Sequence, residues 1–560
     1  MLRPPVMNAD RPNAGRRDPA GAPPGTAAGT GGTAAMIGRL PGRLPSIDPG
    51  NRLPLPEPEG RDIARPLAWL AGLTVIGAAL RIRGLGGELW LDEILTVSSH
   101  AGRSIGELVL APGSLNSHLL HTLLAHGSIA LFGAEEWAIR LPAVVFGIAT
   151  IPAVYALARV ALRSREALLA SGLVAVSYHH VLFSQNARGY SGLLLWTALS
   201  TLFLVRALTR DRGRDWALYL ATGLLAAFTM LLGALVPLGH LATLPAVGLR
   251  LHRAGASPRP AVAKAALAAG AVCLAAAVLY AAAVPTMIAE VDPSRPRWTR
   301  GEEPFGFWYE LTLGLRAGFG PLGILALLAA ASLTVGGFRL ARRHSVYVAL
   351  LVAPLVPTAA LAAVGFWVAP RFFLWSIPAA AIALVAAASM MGRASRWVVP
   401  ATVSLVAVAS LWALPRYYAT PKQAVGASAE WVQRRSAAGE PVVAVSLAVP
   451  GIRFYAPRVG LDARRVEEAS ELEELLAIER RAGGRRIWML TTHRRFLFTR
   501  QPALLEHIER CYRPLEEFPA TIHRMEIMVW VGGCPAVGST SRGRPAPDPA
   551  RSTSGTGPGP

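Results

Sequence analysis

The chain has 560 residues, of which 52% are hydrophobic and only 16% charged, with a mean hydropathy of +0.38. Soluble domains carry about 25% charge, so an ordinary soluble protein is excluded. The formal charge of +21 would suit a nucleic-acid binder. Its arginines, however, sit in short connections between apolar runs, and no basic patch with interleaved aromatics occurs, which excludes that class too.

In chain order, residues 1–62 are rich in Pro, Gly, Ala and Arg and lack the apolar run of a signal peptide. They read as a disordered cytoplasmic leader. Residues 63–416 read as a polytopic all-α bundle. Apolar runs at 66–83, 139–158, 166–183, 191–207, 216–233, 235–250, 262–284, 317–337, 345–368, 371–391 and 397–415 predict about eleven spans. Arginines recur in alternate loops: Arg159, Arg163 and Arg165; Arg206, Arg210, Arg212 and Arg214; Arg250, Arg253 and Arg259; Arg339, Arg342 and Arg343; Arg393 and Arg396. That alternation places these loops and the N-terminus in the cytoplasm and everything beyond 416 outside.

The first external loop, 84–138, contains a second apolar stretch from His118 to Phe132. It is too short to cross, and it carries His118, His121 and His126. It reads as a helix lying along the membrane surface. From 417 to 535, helical patterns alternate with short strands at 441–447, 486–491 and 522–531 and an amphipathic helix at 466–476, predicting a small extracytoplasmic α/β domain. Residues 536–560 form a second disordered tail. Cys273 falls in a span, while Cys511 and Cys534 fall outside, where a disulfide persists if it forms. Lys264 and Lys422 are the only lysines, which reads as compositional bias without mechanistic content.

Ionisable residues accumulate at the external ends of the spans. Asp92 and Glu93 come first, then His118, then Glu135, Glu136 and Arg140, then the run Gln185-Asn-Ala-Arg-Gly-Tyr190, and finally Arg371. A transporter would place such groups near the midplane. A rim site suits a reaction between a membrane-embedded lipid phosphate and a water-borne acceptor, which needs a carboxylate base, cations for the leaving phosphate and an apolar groove for the tail. Taken singly, Asp92 and Glu93 also fit a solvated helix end, and Arg188 and Arg371 fit side chains snorkelling to the interface.

In order, Leu89-Trp-Leu-Asp-Glu93, Asn116-Ser-His118, Leu131-Phe-Gly-Ala-Glu-Glu-Trp-Ala-Ile-Arg-Leu-Pro142, Ser184-Gln-Asn-Ala-Arg-Gly-Tyr190, Pro370-Arg-Phe-Phe373 with Pro378, and Pro421-Lys-Gln423 with Glu430-Trp-Val432 together form a pattern. It resembles that of the GT-C glycosyltransferases, specifically the bacterial relatives of protein O-mannosyltransferases and of lipid A aminoarabinose transferase. The resemblance covers roughly residues 66–460. It departs at Asn186, where many relatives carry Glu, and at Ala424 and Val425, where many carry Asp.

The resemblance implies a multi-pass enzyme of the plasma membrane that moves a sugar from a polyprenyl-phosphate donor to an acceptor at the outer face, with inversion. It makes Asp92 the general base, with Glu93 assisting or holding the loop. His118, Gln185, Asn186, Arg188, Tyr190 and Arg371 become candidates for the donor phosphate and substrate. No cofactor is expected and no DxD motif favours a metal. The partners are the lipid-linked donor, membrane lipid and an acceptor that is a protein, a lipid or a glycan. A flippase of lipid-linked saccharides and an inactive scaffold of the same fold are the alternatives.

Overall fold

The computed structural model describes residues 52–55, 64–98, 118–285, 288, 306–319, 323–364, 368–391 and 398–533. The leader, the tail, Asn116, Arg393, Arg396 and Cys534 lie outside the described residues. The membrane part runs α1 (Pro66–Ile82), α2 (Leu91–Ser98), α3 (Leu119–Phe132), α4 (Glu136–Ala158), α5 (Ser164–Val176), α6 (Tyr178–Ser184) and α7 (Tyr190–Arg210). It continues through α8 (Gly213–Thr229), α9 (Leu235–Arg253), α10 (Pro258–Leu279), α11 (Gly306–Phe319), α12 (Gly323–Val352), α13 (Leu355–Ala363), α14 (Ile377–Met391) and α15 (Val398–Ala419).

Five stretches are long and apolar enough to cross a membrane: Glu136–Ala158, Tyr190–Arg210, Leu231–Arg253, Pro258–Leu279 and Pro370–Ser389. Two bent pairs raise the number to seven among the described residues. The pair α5 and α6 bends by 58°, and Val335–Val352 bends by 51° into α13. Both breaks have local causes. Ser177 leaves the helix with extended backbone and caps α6 by accepting from the His180 N–H. At the second break Pro354 lacks the N–H that a continuous helix would need. The chain is thus a multi-pass membrane protein, with five to seven qualifying spans where the hydropathy pattern predicted eleven. The expected runs at 166–183 and 345–368 are the two that appear bent.

Large apolar side chains point outward on several helices. Leu267 and Val278 on α10 and Trp412 on α15 are 74%, 70% and 76% exposed. Side chains of that kind are stable on an outer surface only against lipid. Inside, one apolar core joins α4, α5, α7, α8, α9, α10, α12 and α14.

Arg81 near the end of α1 is fully buried among neutral acceptors. It donates to the carbonyls of Gly77, Ala175 and Val174 and to Ser184 Oγ, and lies 2.7 Å from His180 Nδ1. This ties α1 to α5 and α6 and fixes the start of the turn that follows Ser184. Gly147 on α4 leaves room for that turn, since a Cβ there would lie 2.1 Å from Ser184 Oγ.

The C-terminal region carries a five-stranded sheet: β1 (Val442–Val445), β2 (Val466–Ala469), β3 (Ile487–Thr492), β4 (Tyr512–Phe518) and β5 (Ile527–Gly532), in the order β2-β1-β3-β5-β4. β1 pairs parallel with β2 and β3, while β5 pairs antiparallel with β3 and β4. β1 and β3 are buried along their whole length. The helices are α16 (Val425–Arg435), α17 (Val449–Tyr455), α18 (Leu472–Ala482), α19 (Arg494–Arg500) and α20 (Pro502–Cys511). Val443, Val445 and Met489 pack on α18 and α20, through Leu475, Ile478, Leu505 and Ile508. The opposite face, with Val442, Ala444, Trp488 and Leu490, shares one core with Leu89 and Ile94 of the first loop and with Ile139 and Ala187.

Two sequence expectations need correction here. Residues 466–469 form strand β2, and the amphipathic helix begins only at Leu472, because the edge of the sheet recruits the first four residues. β4 was not predicted; its Pro514, its register shift at Pro514/Glu516 and its mostly exposed side chains mark an edge strand with a weak apolar signal. Cys511 is disulfide-bonded and Cys273 is free.

Candidate active site

Asp92 and Glu93 open α2, and consecutive helical residues point about 100° apart. That geometry separates the two carboxylates. Asp92 stays about a quarter exposed, its side chain at 27%, and pairs through Oδ2 with Arg188 Nη1. Glu93 turns inward to full burial.

Arg188 lies in the turn between α6 and α7 and is itself buried. Its Nε donates to His118 Nε2 at 2.8 Å. Since His118 accepts there, its proton resides on Nδ1, which has no partner among the described residues. Burial, then the charges of Arg188, His121 and Arg371, hold the His118 ring well below its ordinary pKa, so it is neutral. The His118 ring lies 5.4 Å from that of Tyr190, tilted by 58°, and the Arg188 guanidinium lies 5.8 Å from the centre of the same tyrosine ring. Gly189 must be glycine: a Cβ would meet Thr229 Cγ2 at 2.7 Å and His118 Nδ1 at 3.0 Å. Arg371 heads the 3-10 turn Pro370–Ser376 and sits over the Phe372 ring. Asp92, His118, Arg188, Tyr190 and Arg371 are therefore gathered at one place.

Glu93 anchors a separate cluster. Arg140 of α4 grips it bidentately, Nη2 to Oε2 at 2.7 Å and Nε to Oε1 at 2.8 Å. The remaining Arg140 donors reach the carbonyls of Leu85, Gly87 and Glu88. Lys422 Nζ, reaching in from the segment after α15, lies 3.1 Å from Glu93 Oε1, and the Ala187 N–H donates to the same oxygen at 2.7 Å. Burial alone would push the Glu93 carboxyl up, but Arg140 and Lys422 hold it down at about 2. Lys422 is driven by burial and by neighbouring Arg140 down to about 7, although Glu93 opposes the shift. Below about pH 7, two cations against one carboxylate leave a surplus positive charge under the site.

Gln185 and Asn186 face away from the Asp92 group. Gln185 Nε2 donates to the carbonyls of Arg81 at 2.8 Å and Arg83 at 2.5 Å, closing the end of α1. Asn186 Oδ1 accepts from Trp90 Nε1 at 3.4 Å. Both are buried, and they shape the turn that presents Arg188.

Sequence reasoning placed Arg140 at the rim without assigning it a role, and missed Lys422, Gln423 and His121 as neighbours of the site. Gln423 Oε1 accepts from the Leu91 N–H at 2.9 Å, one residue before Asp92. His121 is fully buried, and neither ring nitrogen has a partner among the described residues. For Lys422 a signal existed. In a chain with two lysines, both make ion pairs, Lys264 with Asp211 at 2.8 Å and Lys422 with Glu93. The rarity of lysine marks positions where a compact ammonium is kept.

Among the described residues, no group of three or more His, Cys, Asp or Glu side chains converges as a metal site. The arrangement defines a multi-pass membrane protein with a partly open carboxylate–guanidinium site at one end of its helices. Residues 117–280 match the family model described as dolichyl-phosphate-mannose-protein mannosyltransferase. That segment contains His118 and the turn from Gln185 to Tyr190, so the resemblance read from the motifs holds there.

Among solved structures, ArnT from Cupriavidus metallidurans bound to undecaprenyl phosphate is similar at 14% identity, over 83% of this chain and 98% of ArnT, with a TM-score of 0.48. The oligosaccharyltransferase of Archaeoglobus fulgidus in its apo form is similar at 14% identity, over 79% of this chain and 71% of that one, also with a TM-score of 0.48. No curated protein matches the sequence.

Proposed function

We propose that this protein is an integral-membrane glycosyltransferase that moves a sugar from a polyprenyl-phosphate donor onto an acceptor at the external face. The observation that carries the reading is the chain from Asp92 through Arg188 to His118, with Arg371 beside it and a surplus positive charge beneath. The match of residues 117–280 to the mannosyltransferase family model supports the donor class.

In this reading the donor phosphate binds Arg188 and Arg371, with the proton on His118 Nδ1 available to a phosphate oxygen. Phosphate competes with Asp92 for Arg188, and the released carboxylate takes the proton from the acceptor hydroxyl. The acceptor oxygen then attacks the anomeric carbon from the face opposite the phosphate. The bond from that carbon to the phosphate oxygen breaks, the sugar inverts, and polyprenyl phosphate departs with its charge met by fixed cations. An apolar groove of about 300 Å³ between α8 and α10, lined by Leu224, Phe228, Ala275 and Leu279, ends one residue from Thr229, which abuts Gly189. It offers a path for the lipid tail.

The proposed topology has eleven spans, a cytoplasmic N-terminus and an extracytoplasmic α/β domain at 417–535. Cysteines introduced as Arg480→Cys and Arg210→Cys test it. A membrane-impermeant maleimide is expected to label the first and spare the second, and the reverse pattern overturns the reading. The chemistry is tested with purified protein and polyprenyl-phosphate mannose. Loss of transfer in Asp92→Asn supports the assigned base, and full retention removes it.

A further inference from the structure

Six consecutive residues, Glu88 to Glu93, are held from two sides, and the C-terminal region supplies a hold at four of them. The Glu88 carboxylate accepts the Gly426 and Ala427 N–H groups at 2.6 and 2.9 Å. The Leu89 N–H donates to Tyr455 Oη at 2.7 Å, the Leu91 N–H to Gln423 Oε1 at 2.9 Å, and Glu93 pairs with Lys422. Trp90 and Asp92 are the exceptions: Trp90 Nε1 donates to Asn186 Oδ1, and the Asp92 ion pair goes to Arg188, both on the membrane side. The segment doing the holding is itself fastened to the sheet. Gln423 Nε2 donates to Thr492 Oγ1 at 3.1 Å at the end of β3, and the Ile522 N–H donates to the Lys422 carbonyl at 3.2 Å.

We propose that Lys422 and Gln423 are positioning residues: they make the C-terminal region part of the active site by fixing the backbone that presents Asp92 to Arg188. The deduction concerns what the Asp92 loop rests on, and its bearing on catalysis rests on the glycosyltransferase reading above. Lys422 is a poor choice for stability alone. Removing an ammonium from water is costly, and Glu93 already has a bidentate partner in Arg140. What Lys422 adds is reach. Its Nζ bridges Glu93 to the carbonyl of Gln185, joining the Asp92 loop to the turn that carries Arg188. Gln423 performs the same task for the backbone on the other side of Asp92. The apolar packing agrees, since Leu89 and Ile94 are fully buried in the core of the sheet's inner face.

The test is hydrogen exchange on the full-length protein in lipid nanodiscs, comparing wild type with Lys422→Met, Lys422→Arg and Gln423→Ala. Lys422→Met leaves Glu93 and Arg140 balanced, so the protein is expected to fold with an unchanged or higher Tm. Amides of residues 89–96 are expected to exchange about 10–100-fold faster in Lys422→Met and Gln423→Ala, the range set by a lost hydrogen bond to a charged or buried group. Amides of β1 and β3 should keep their protection, and Lys422→Arg, which keeps the cation, should recover most of the protection in the loop.

Unchanged exchange at 89–96 in both variants overturns the proposal. So does faster exchange spread evenly over loop and sheet with a falling Tm, which is the signature of a merely structural pair. Binding of undecaprenyl phosphate to the wild type is measured separately. Its failure would count against the glycosyltransferase reading while leaving the exchange result intact.

Discussion

Asp92 and Glu93 are neighbours in sequence and opposites in environment. Asp92 is 27% exposed with a single ion pair, whereas Glu93 is sealed and takes charge from Arg140 and Lys422 and a backbone N–H from Ala187. A carboxylate locked by two cations is a poor proton acceptor, and one with an open edge and a displaceable partner is a good one. A turn of about 100° along one helix is enough to divide the pair into a partly open carboxylate and a buried anchor.

That division is broken most directly at Asp92. Asp92→Asn is expected to cut the transfer rate about 10²–10⁴-fold with Tm unchanged, the span typical of a lost general base. Glu93→Gln should do the reverse. It strands Arg140 and Lys422 without their carboxylate and is expected to cost about 3–5 kcal/mol of stability, read by denaturation in detergent. If Glu93→Gln is well folded but inactive, the two roles are exchanged. Arg188→Ala removes a charge-assisted contact to the donor phosphate and should weaken undecaprenyl phosphate binding by about 1.5–3 kcal/mol, measured by titration. Gly147→Ala pushes a methyl onto Ser184 and should cost about 1–3 kcal/mol of stability through overpacking.

The pH dependence reports on the buried anchor, through Glu93 and Lys422. Glu93, held at about 2 against an ordinary 4.5, contributes stability that is present above pH 4.5 and lost as the pH falls toward 2. Lys422 gives a slope of the same sign in a higher window. Between about pH 7 and 10.5 the unfolded chain holds a proton that the native lysine has released, so stability rises with pH across that window. Lys422→Met should flatten that slope, as seen by chemical denaturation from pH 7 to 10.

Much of this molecule is legible in its sequence, and unevenly so. The membrane character announces itself because a lipid-facing helix must be apolar, but of the eleven runs read from hydropathy five to seven qualify as spans among the described residues. The central strands β1, β3 and β5 announce themselves because both faces of the sheet are covered. β2 and β4 are edge strands, and their sequences, Val-Glu-Glu-Ala and Tyr-Arg-Pro-Leu-Glu-Glu-Phe, carry no such signal. In the site, Asp92, His118, Arg188 and Arg371 stand in short ordered motifs. Arg140 and Lys422 reach Glu93 from 47 and 329 positions away. No periodicity records a pairing over that distance. Gln185 was legible as a motif member, but its use in closing the end of α1 depends on the packing of α1 against α6.

The two lysines also have a practical consequence. Lys264 has a 41% exposed side chain, while Lys422 is only 6% exposed beneath the loop that carries Asp92. Of the two, mild acylation should mark Lys264 and spare Lys422 for as long as the loop stays closed. Peptide mass after a brief pulse of an amine-reactive reagent would then report the protection of Lys422 against Lys264 on the unmodified protein, without any introduced probe.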